Sequence, residues 1–203
     1  MNPPPFEYGK IFRIFNRGNN CEHLFKVHED YALFLRLMEK FLPPLCHIYA
    51  FSLLPDQFHL LLQFKEPKEL PYHYQIGRKK IHRPFIQLFT SYVMLFNHRY
   101  KRSGSLFQEH LHRKEITSEE EFRSVLLNIH LKPATHLNYP AITRYPYASY
   151  RLYLDANRTS KIEKSFPLQL FADLENFIYH HRLAHRLMLE QGSEFEYLQQ
   201  SLE

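Results

Sequence analysis

Alternating and apolar runs predict strands in the first third of the chain. Strands are expected over three segments: 8–18, 47–55 and 57–64. Pro55 stops the second strand, and the hairpin to the third runs across Pro55 and Asp56, the length of a tight connection. Between the first two strands, apolar residues recur at helical spacing and predict an amphipathic helix over 29–42.

The remaining two thirds of the chain are predicted to be mainly helical. A long helix is expected over about 78–101, and an extended segment over 104–113 follows it. A tyrosine- and proline-rich stretch, 138–153, is expected to be irregular but packed, and 166–190 to be helical. The order of the elements therefore predicts an α+β protein.

A capping signature marks one further helix. Ser118 and Glu121 have the spacing of a capping box, which predicts that a helix begins just after Ser118. The helix is expected to end near Leu131, before Pro133, because proline lacks the backbone N–H and disfavours helical geometry in the residue before it.

The second hairpin strand carries polar side chains in an apolar run. Alternation places Gln57 and His59 on one face of the strand and Phe58 and Leu60 on the other. An amide and an imidazole side by side on a strand suggest a binding site as well as a local polar contact.

The placement of charge favours nucleic acid as a partner. The 203 residues have a net charge of +5, and between Glu69 and Glu109 there is no acidic residue. Aromatic residues alternate with cations in this interval, a mixture suited to phosphates and bases. The alternative is a solvated basic helix face in a basic protein. The cations are Arg78, Lys79, Lys80, Arg83, Arg99, Lys101 and Arg102.

Composition limits the setting of the protein. Hydrophobic residues make up 44% and charged residues 23% of the chain, which is typical of a globular domain. No apolar run approaches the ~18–20 residues that span a bilayer, and the first residues do not resemble a signal peptide. Two cysteines favour the reducing cytoplasm. A zinc site with Cys21–His23 or Cys46–His47 fits no standard spacing.

Four segments in this order resemble the single-tyrosine transposases of the HUH superfamily, most closely the REP-associated tyrosine transposases. The segments are "FRIFNRGNN" near the start, "FSLLPDQFHLLL" at the hairpin, "SYVMLFNHRYKRSGSLFQ" at 91–108 and "LLNIHLKPATH" at 126–136. The resemblance implies a ferredoxin-like antiparallel sheet with helices packed on one face. It also implies two units: a transposase-like domain, 1–150, and a C-terminal helical extension, 151–203.

The resemblance also implies a reaction. Two strand histidines hold a divalent metal that polarises a phosphate of single-stranded DNA, and a helix tyrosine attacks it to form a phosphotyrosine. Carried over by position, Tyr92 is the nucleophile and His59 is the second histidine, so the Tyr92 hydroxyl is expected to lie near the His59 and Gln57 side chains. Gln57 stands where the first histidine is expected, and its amide oxygen suits Mg²⁺ or Mn²⁺. By helical spacing alone, Tyr92 belongs to a buried stripe or its edge.

Two further departures from the family pattern concern the metal. A polar ligand is expected one turn after the tyrosine, where this chain has Leu95 and Phe96, and Asn97 lies well around the helix. His110 and His112 form an intact His-hydrophobic-His pair, but in a segment that is not the metal strand of the family. That pair is either a second metal candidate or part of the basic surface.

Two main functions remain open. The first is a transposase-like enzyme that cleaves and rejoins single-stranded DNA through Tyr92 with Mg²⁺ or Mn²⁺. The second is a catalytically weak or inactive relative that binds structured single-stranded DNA or RNA. Expected partners are single-stranded or hairpin DNA, without a membrane, and the chain is expected to be a monomer or a homodimer.

Overall fold

The computed structural model describes residues 4–75, 81–139, 141–155 and 159–191. Within these ranges four strands form one antiparallel sheet in the order β2-β3-β1-β4. The strands are β1 (Ile11–Arg17), β2 (Cys46–Leu54), β3 (Gln57–Phe64) and β4 (His112–Ile116). The helices are α1 (His28–Phe41), α2 (Tyr72–Gln75), α3 (Arg83–Tyr100), α4 (Glu119–Leu137), α5 (Tyr150–Leu154), α6 (Ser165–Leu170) and α7 (Leu174–Gln191).

The order β1-α1-β2-β3-α3-β4, with β1 and β3 central in the sheet, is the ferredoxin-like topology that the family resemblance implied. The first three strands lie within one to three residues of their expected bounds. The segment predicted to be extended over 104–113 contributes only an isolated bridge from Phe107 to Gly18 before β4 begins at His112.

Helices cover both faces of the sheet, whereas the prediction placed them on one. Alternate β3 residues such as Phe58 and Leu60 share an apolar cluster with α1 and α3. Leu61, which follows Leu60 and points to the opposite face, joins a second cluster with Phe122 and Ile129 of α4. Because both faces carry apolar side chains, each needs a helix to remove it from water.

Helix α4 runs beyond its predicted end. Its N-terminus is capped as expected: the Ser118 hydroxyl accepts from the Glu121 backbone N–H at 3.1 Å, and the Glu121 carboxylate accepts from the Thr117 N–H at 3.0 Å. The predicted end before Pro133 is wrong, because the helix continues through Pro133 to Leu137. Burial of Leu131, Pro133 and Ala134 around this point compensates for the hydrogen bond that proline cannot make.

The C-terminal part packs on the same second cluster. Phe171 and Phe177 are buried against α4, and the Tyr153 hydroxyl donates to the Tyr49 carbonyl of β2 at 2.7 Å. The predicted division at residue 150 stays a prediction. Among the described helices none is both long and apolar enough to cross a membrane.

Candidate nucleic-acid interface

Strand β3 holds Gln57 and His59 on the α4 side of the sheet, as alternation predicted. His59 Nε2 donates to Gln57 Oε1 at 2.9 Å, and Gln57 Nε2 lies 3.1 Å from His136 Nδ1 on α4. His136 Nε2 in turn lies 2.8 Å from Asp56 Oδ1 in the hairpin turn. These four side chains, from His59 to Asp56, form a continuous polar chain that leads from the interior to the surface.

Cationic groups surround the inner end of this polar chain. Burial, together with Lys132 and Arg13, lowers the pKa of His59 well below its usual value, so the ring is neutral. Arg13 is fully buried and its Nη2 donates to Asn128 Oδ1 at 3.4 Å, while Lys132 is only 9% exposed. At the outer end, burial is the largest single influence and raises the pKa of Asp56. The contacts with His136, a backbone hydrogen bond and Arg17 together outweigh burial, so the net shift of the Asp56 pKa is downward.

Asn128, Lys132 and His136 were missed in the sequence, although a signal was present. They stand four residues apart and therefore share one face of α4. Arg13 was missed as well, although strand alternation places it on the same face of β1 as Phe15, which pairs with His59.

The side chains in this arrangement do not fit a divalent cation. Gln57 Oε1, the ligand atom that a metal would need, already accepts a hydrogen bond from His59 Nε2–H, which leaves it one lone pair. The other ring nitrogen, His59 Nδ1, has no hydrogen-bond partner in the described part of the chain, but Lys132 and Arg13 next to this ring would repel a cation. In the described ranges no three His, Cys, Asp or Glu residues group as metal ligands. The Mg²⁺ or Mn²⁺ cofactor stays a prediction.

Tyr92 lies on the opposite face of the sheet. It is fully buried, its hydroxyl donates to the Leu24 carbonyl, and its ring packs against Phe34 edge-on at 5.2 Å. Burial raises the pKa of Tyr92 above its usual value, which weakens it as a nucleophile. The expected position beside His59 and Gln57 is wrong, because the helical stripe that contains Tyr92 faces α1. Its catalytic role stays a prediction that needs an exposed hydroxyl.

The predicted DNA-binding cations have different surroundings. Arg78, Lys79 and Lys80 lie outside the described residues. Arg83 is exposed at the start of α3, and Lys101 is exposed at its end. Two others have structural contacts: Arg99 pairs with buried Asp30 at 2.7 Å, and Arg102 donates to Asn97 at 2.7 Å. The basic surface therefore includes both ends of α3, on the face away from His59.

A cleft of about 590 Å³ opens at the outer end of the polar chain. Its lining includes Arg17 at the end of β1, His23, Gln108, and the Asp56 and His136 pair. The cleft lies on the β3 hairpin side and joins the surface to the buried Gln57 and His59 through hydrogen bonds. It has the mixture of cation, imidazole and amide that can bind a phosphate and the edge of a base.

The two histidines of the second pair, His110 and His112, have different surroundings. His110 is exposed before β4 begins, and His112 is the first residue of that strand. The His112 ring stacks on Phe15 with centroids 4.8 Å apart. In the described ranges this pair belongs to no metal-ligand group, so a metal role for it stays a prediction.

Comparison with known proteins was informative at the level of structure. No family model and no curated protein sequence matched the chain. A solved REP-associated tyrosine transposase bound to a REP hairpin is similar, with a TM-score of 0.55 and 13% identity, over 81% of this chain and 98% of that one. Likeness at this identity concerns the fold: the chain has the antiparallel α+β architecture of a REP-associated tyrosine transposase.

Proposed function

We propose that this protein binds structured single-stranded DNA, such as a hairpin with an unpaired flank, on the α4 side of its sheet. The observation that carries the proposal is a polar cleft with cations around it: Arg17 lines the cleft beside the His136 and Asp56 pair, and Arg13 and Lys132 are buried behind it. The solved transposase of similar fold is bound to a REP hairpin. Buried cations beside an open cleft favour an anionic partner such as phosphate.

The binding surface can be tested by charge reversal. Arg17→Glu is expected to weaken binding of a labelled hairpin about tenfold and to reduce the salt slope by about one unit, because one phosphate contact is lost. Lys101→Glu tests the predicted surface on α3 in the same way. Arg36→Glu is the matched control, because Arg36 is exposed on α1, behind the sheet, and the change in net charge is identical.

Fluorescence anisotropy between about 50 and 200 mM salt gives both affinity and slope. The cleft is the binding surface if Arg17→Glu is weaker than Arg36→Glu. Equal losses in Arg17→Glu, Lys101→Glu and Arg36→Glu would indicate general charge attraction, and no binding by the unmodified protein would refute the proposal.

The second candidate function is strand cleavage and rejoining by Tyr92, which the likeness to a tyrosine transposase favours. Because the Tyr92 hydroxyl is buried on the opposite face from the cleft, we propose binding without cleavage as the main function. The inaccessible Tyr92 hydroxyl supports the hypothesis of a catalytically weak or inactive relative over that of an active transposase.

Tyr92→Phe separates these two functions. If Tyr92 is structural, the unmodified protein with Mn²⁺ forms no covalent DNA adduct on a denaturing gel. The phenylalanine variant then binds DNA equally well and loses about 1 kcal/mol of unfolding free energy, because the Leu24 carbonyl loses its donor. An adduct formed by the unmodified protein and absent from Tyr92→Phe would instead establish the enzyme.

A further inference from the structure

Three aromatic rings form a row across neighbouring strands on the α4 side of the sheet. The strand register pairs Phe15 of β1 with both His59 of β3 and His112 of β4. The Phe15 ring stacks on His59 at 5.6 Å with 21° between the planes, and on His112 at 4.8 Å with 12°. The rings stand nearly parallel, so the row has two terminal faces, one on His59 and one on His112.

Burial decreases along this row from the centre of the sheet to its edge. His59 is fully buried, Phe15 is half-buried and His112 is exposed. Strand β4, which carries His112, is the last in the sheet order, and no described strand pairs with its outer side. The outer face of the His112 ring is therefore the accessible end of the row.

The charge around the row is mainly positive. The Arg13 guanidinium lies 5.4 Å from the centroid of the Phe15 ring. Arg17, two residues after Phe15 and on the same face of β1, is exposed. Lys114, two residues after His112, is partly exposed and lies 3.5 Å from the carboxylate of Glu121. A planar ligand at His112 would thus have cations on two strands beside it.

We infer that His112 is a stacking position for one unpaired base of single-stranded DNA, with the adjoining phosphates near Arg17 and Lys114. The inference rests on the proposed function and specifies which part of the DNA contacts the edge of the sheet. A base continues the row as a fourth parallel ring, and its phosphates match the surrounding cations. An aromatic side chain of another protein could also stack on the His112 ring, but it would bring no phosphate to the neighbouring cations.

Substitutions at His112 distinguish stacking from charge. His112→Ala removes the ring and is expected to weaken binding of a hairpin with a single-stranded flank about tenfold, while a blunt hairpin without a flank is unaffected. His112→Phe restores a ring without a proton donor and should bind within about twofold of the unmodified protein. His110→Ala is the matched control, because it removes an exposed histidine that stands outside the strand.

The readout is titration of DNA that carries 2-aminopurine in the flank, whose fluorescence is quenched by stacking. Quenching is expected with the unmodified protein and His112→Phe, and is lost in His112→Ala. The inference is overturned if His112→Ala binds like the unmodified protein, or if His112→Phe is as weak as His112→Ala. It is also overturned if His110→Ala loses as much affinity as His112→Ala.

A second DNA, a single strand that forms no hairpin, is titrated beside the hairpin with a flank. Comparison of the two DNAs distinguishes the failure of this inference from the failure of the proposed function. Binding of both DNAs with no dependence on His112 would overturn this inference and leave the proposed function intact. Binding of the single strand alone, dependent on the His112 ring, would support the stacking position and refute hairpin recognition. If the unmodified protein binds neither DNA, both proposals are wrong.

Discussion

The free energy of unfolding is expected to fall by about 4 kcal/mol when the pH is lowered from about 8 to about 5.5. Three fully buried histidines cause this loss: His59, His130 and His181. Burial lowers the pKa of each, well below the usual value for His59 and His130 and to about 3 for His181. Each ring is therefore neutral in the folded protein throughout this range.

The hydrogen bonds of two of these histidines suit the neutral form. His181 Nδ1 donates to the Phe177 carbonyl at 2.7 Å, and its Nε2 lies 2.8 Å from His130 Nδ1. His130 Nε2 lies 2.8 Å from the Ser149 hydroxyl. Since an unfolded histidine binds a proton near pH 6.5, the unfolded state gains protons below that pH and the folded state does not. Stability is therefore full above pH 6.5 and lost as the pH falls, by about 1.4 kcal/mol per histidine at pH 5.5.

Urea unfolding at both pH values measures this loss. His59→Gln removes one titrating group and should reduce the difference between the two pH values by about one third, or about 1.4 kcal/mol. His110→Ala, at an exposed histidine, should leave the difference unchanged. Equal stability at about pH 8 and 5.5 would show that the buried rings are not neutral in the folded state.

Asp30→Ala is expected to lower the free energy of unfolding by about 3–5 kcal/mol. The Asp30 carboxylate is 1% exposed and accepts from the backbone N–H groups of Lys26 and Val27 at the start of α1. It also accepts from Arg99 and from the Tyr100 hydroxyl of α3, both at 2.7 Å. Removal of the carboxylate therefore leaves four donors without their acceptor and removes this polar link between α1 and α3.

Asp30→Asn is the control, because its amide keeps one oxygen acceptor and removes only the charge. Its loss should be smaller than that of Asp30→Ala in the same urea titration. A loss below about 1 kcal/mol in Asp30→Ala would show that the hydrogen bonds to Asp30 contribute little. The contact with Asp30 would then not explain the position of Arg99. Its predicted role in binding DNA would be the simpler explanation.

Local pattern was enough to predict three of the four described strands and the main helices. Alternation in β3 placed Gln57 and His59 on one face, and the 55–56 turn fixed the hairpin. Helical spacing placed Tyr92 in the same stripe as the buried residues Phe85, Leu88 and Phe96. These features depend on neighbours along the chain, so the order of polar and apolar residues was sufficient.

The candidate site depends on contacts between segments far apart in sequence. His136 reaches Asp56 only because α4 continues through Pro133, and packing of its last turns opposes the local tendency of proline to end a helix. A residue pattern also does not state which face of the sheet a helix covers. It therefore could not correct the expectation, taken from the resemblance, that Tyr92 lies beside His59.

The sequence by itself determined the order of strands and helices from β1 to α3, the shared face of Gln57 and His59, and the buried stripe of α3. Only the tertiary structure decided that α4 covers that face, that Arg13 and Lys132 surround His59, and that Tyr92 faces α1. The physical reason is that periodicity fixes the direction of a side chain within its own element. Partners and solvent access are fixed by how separate elements pack to bury their apolar faces.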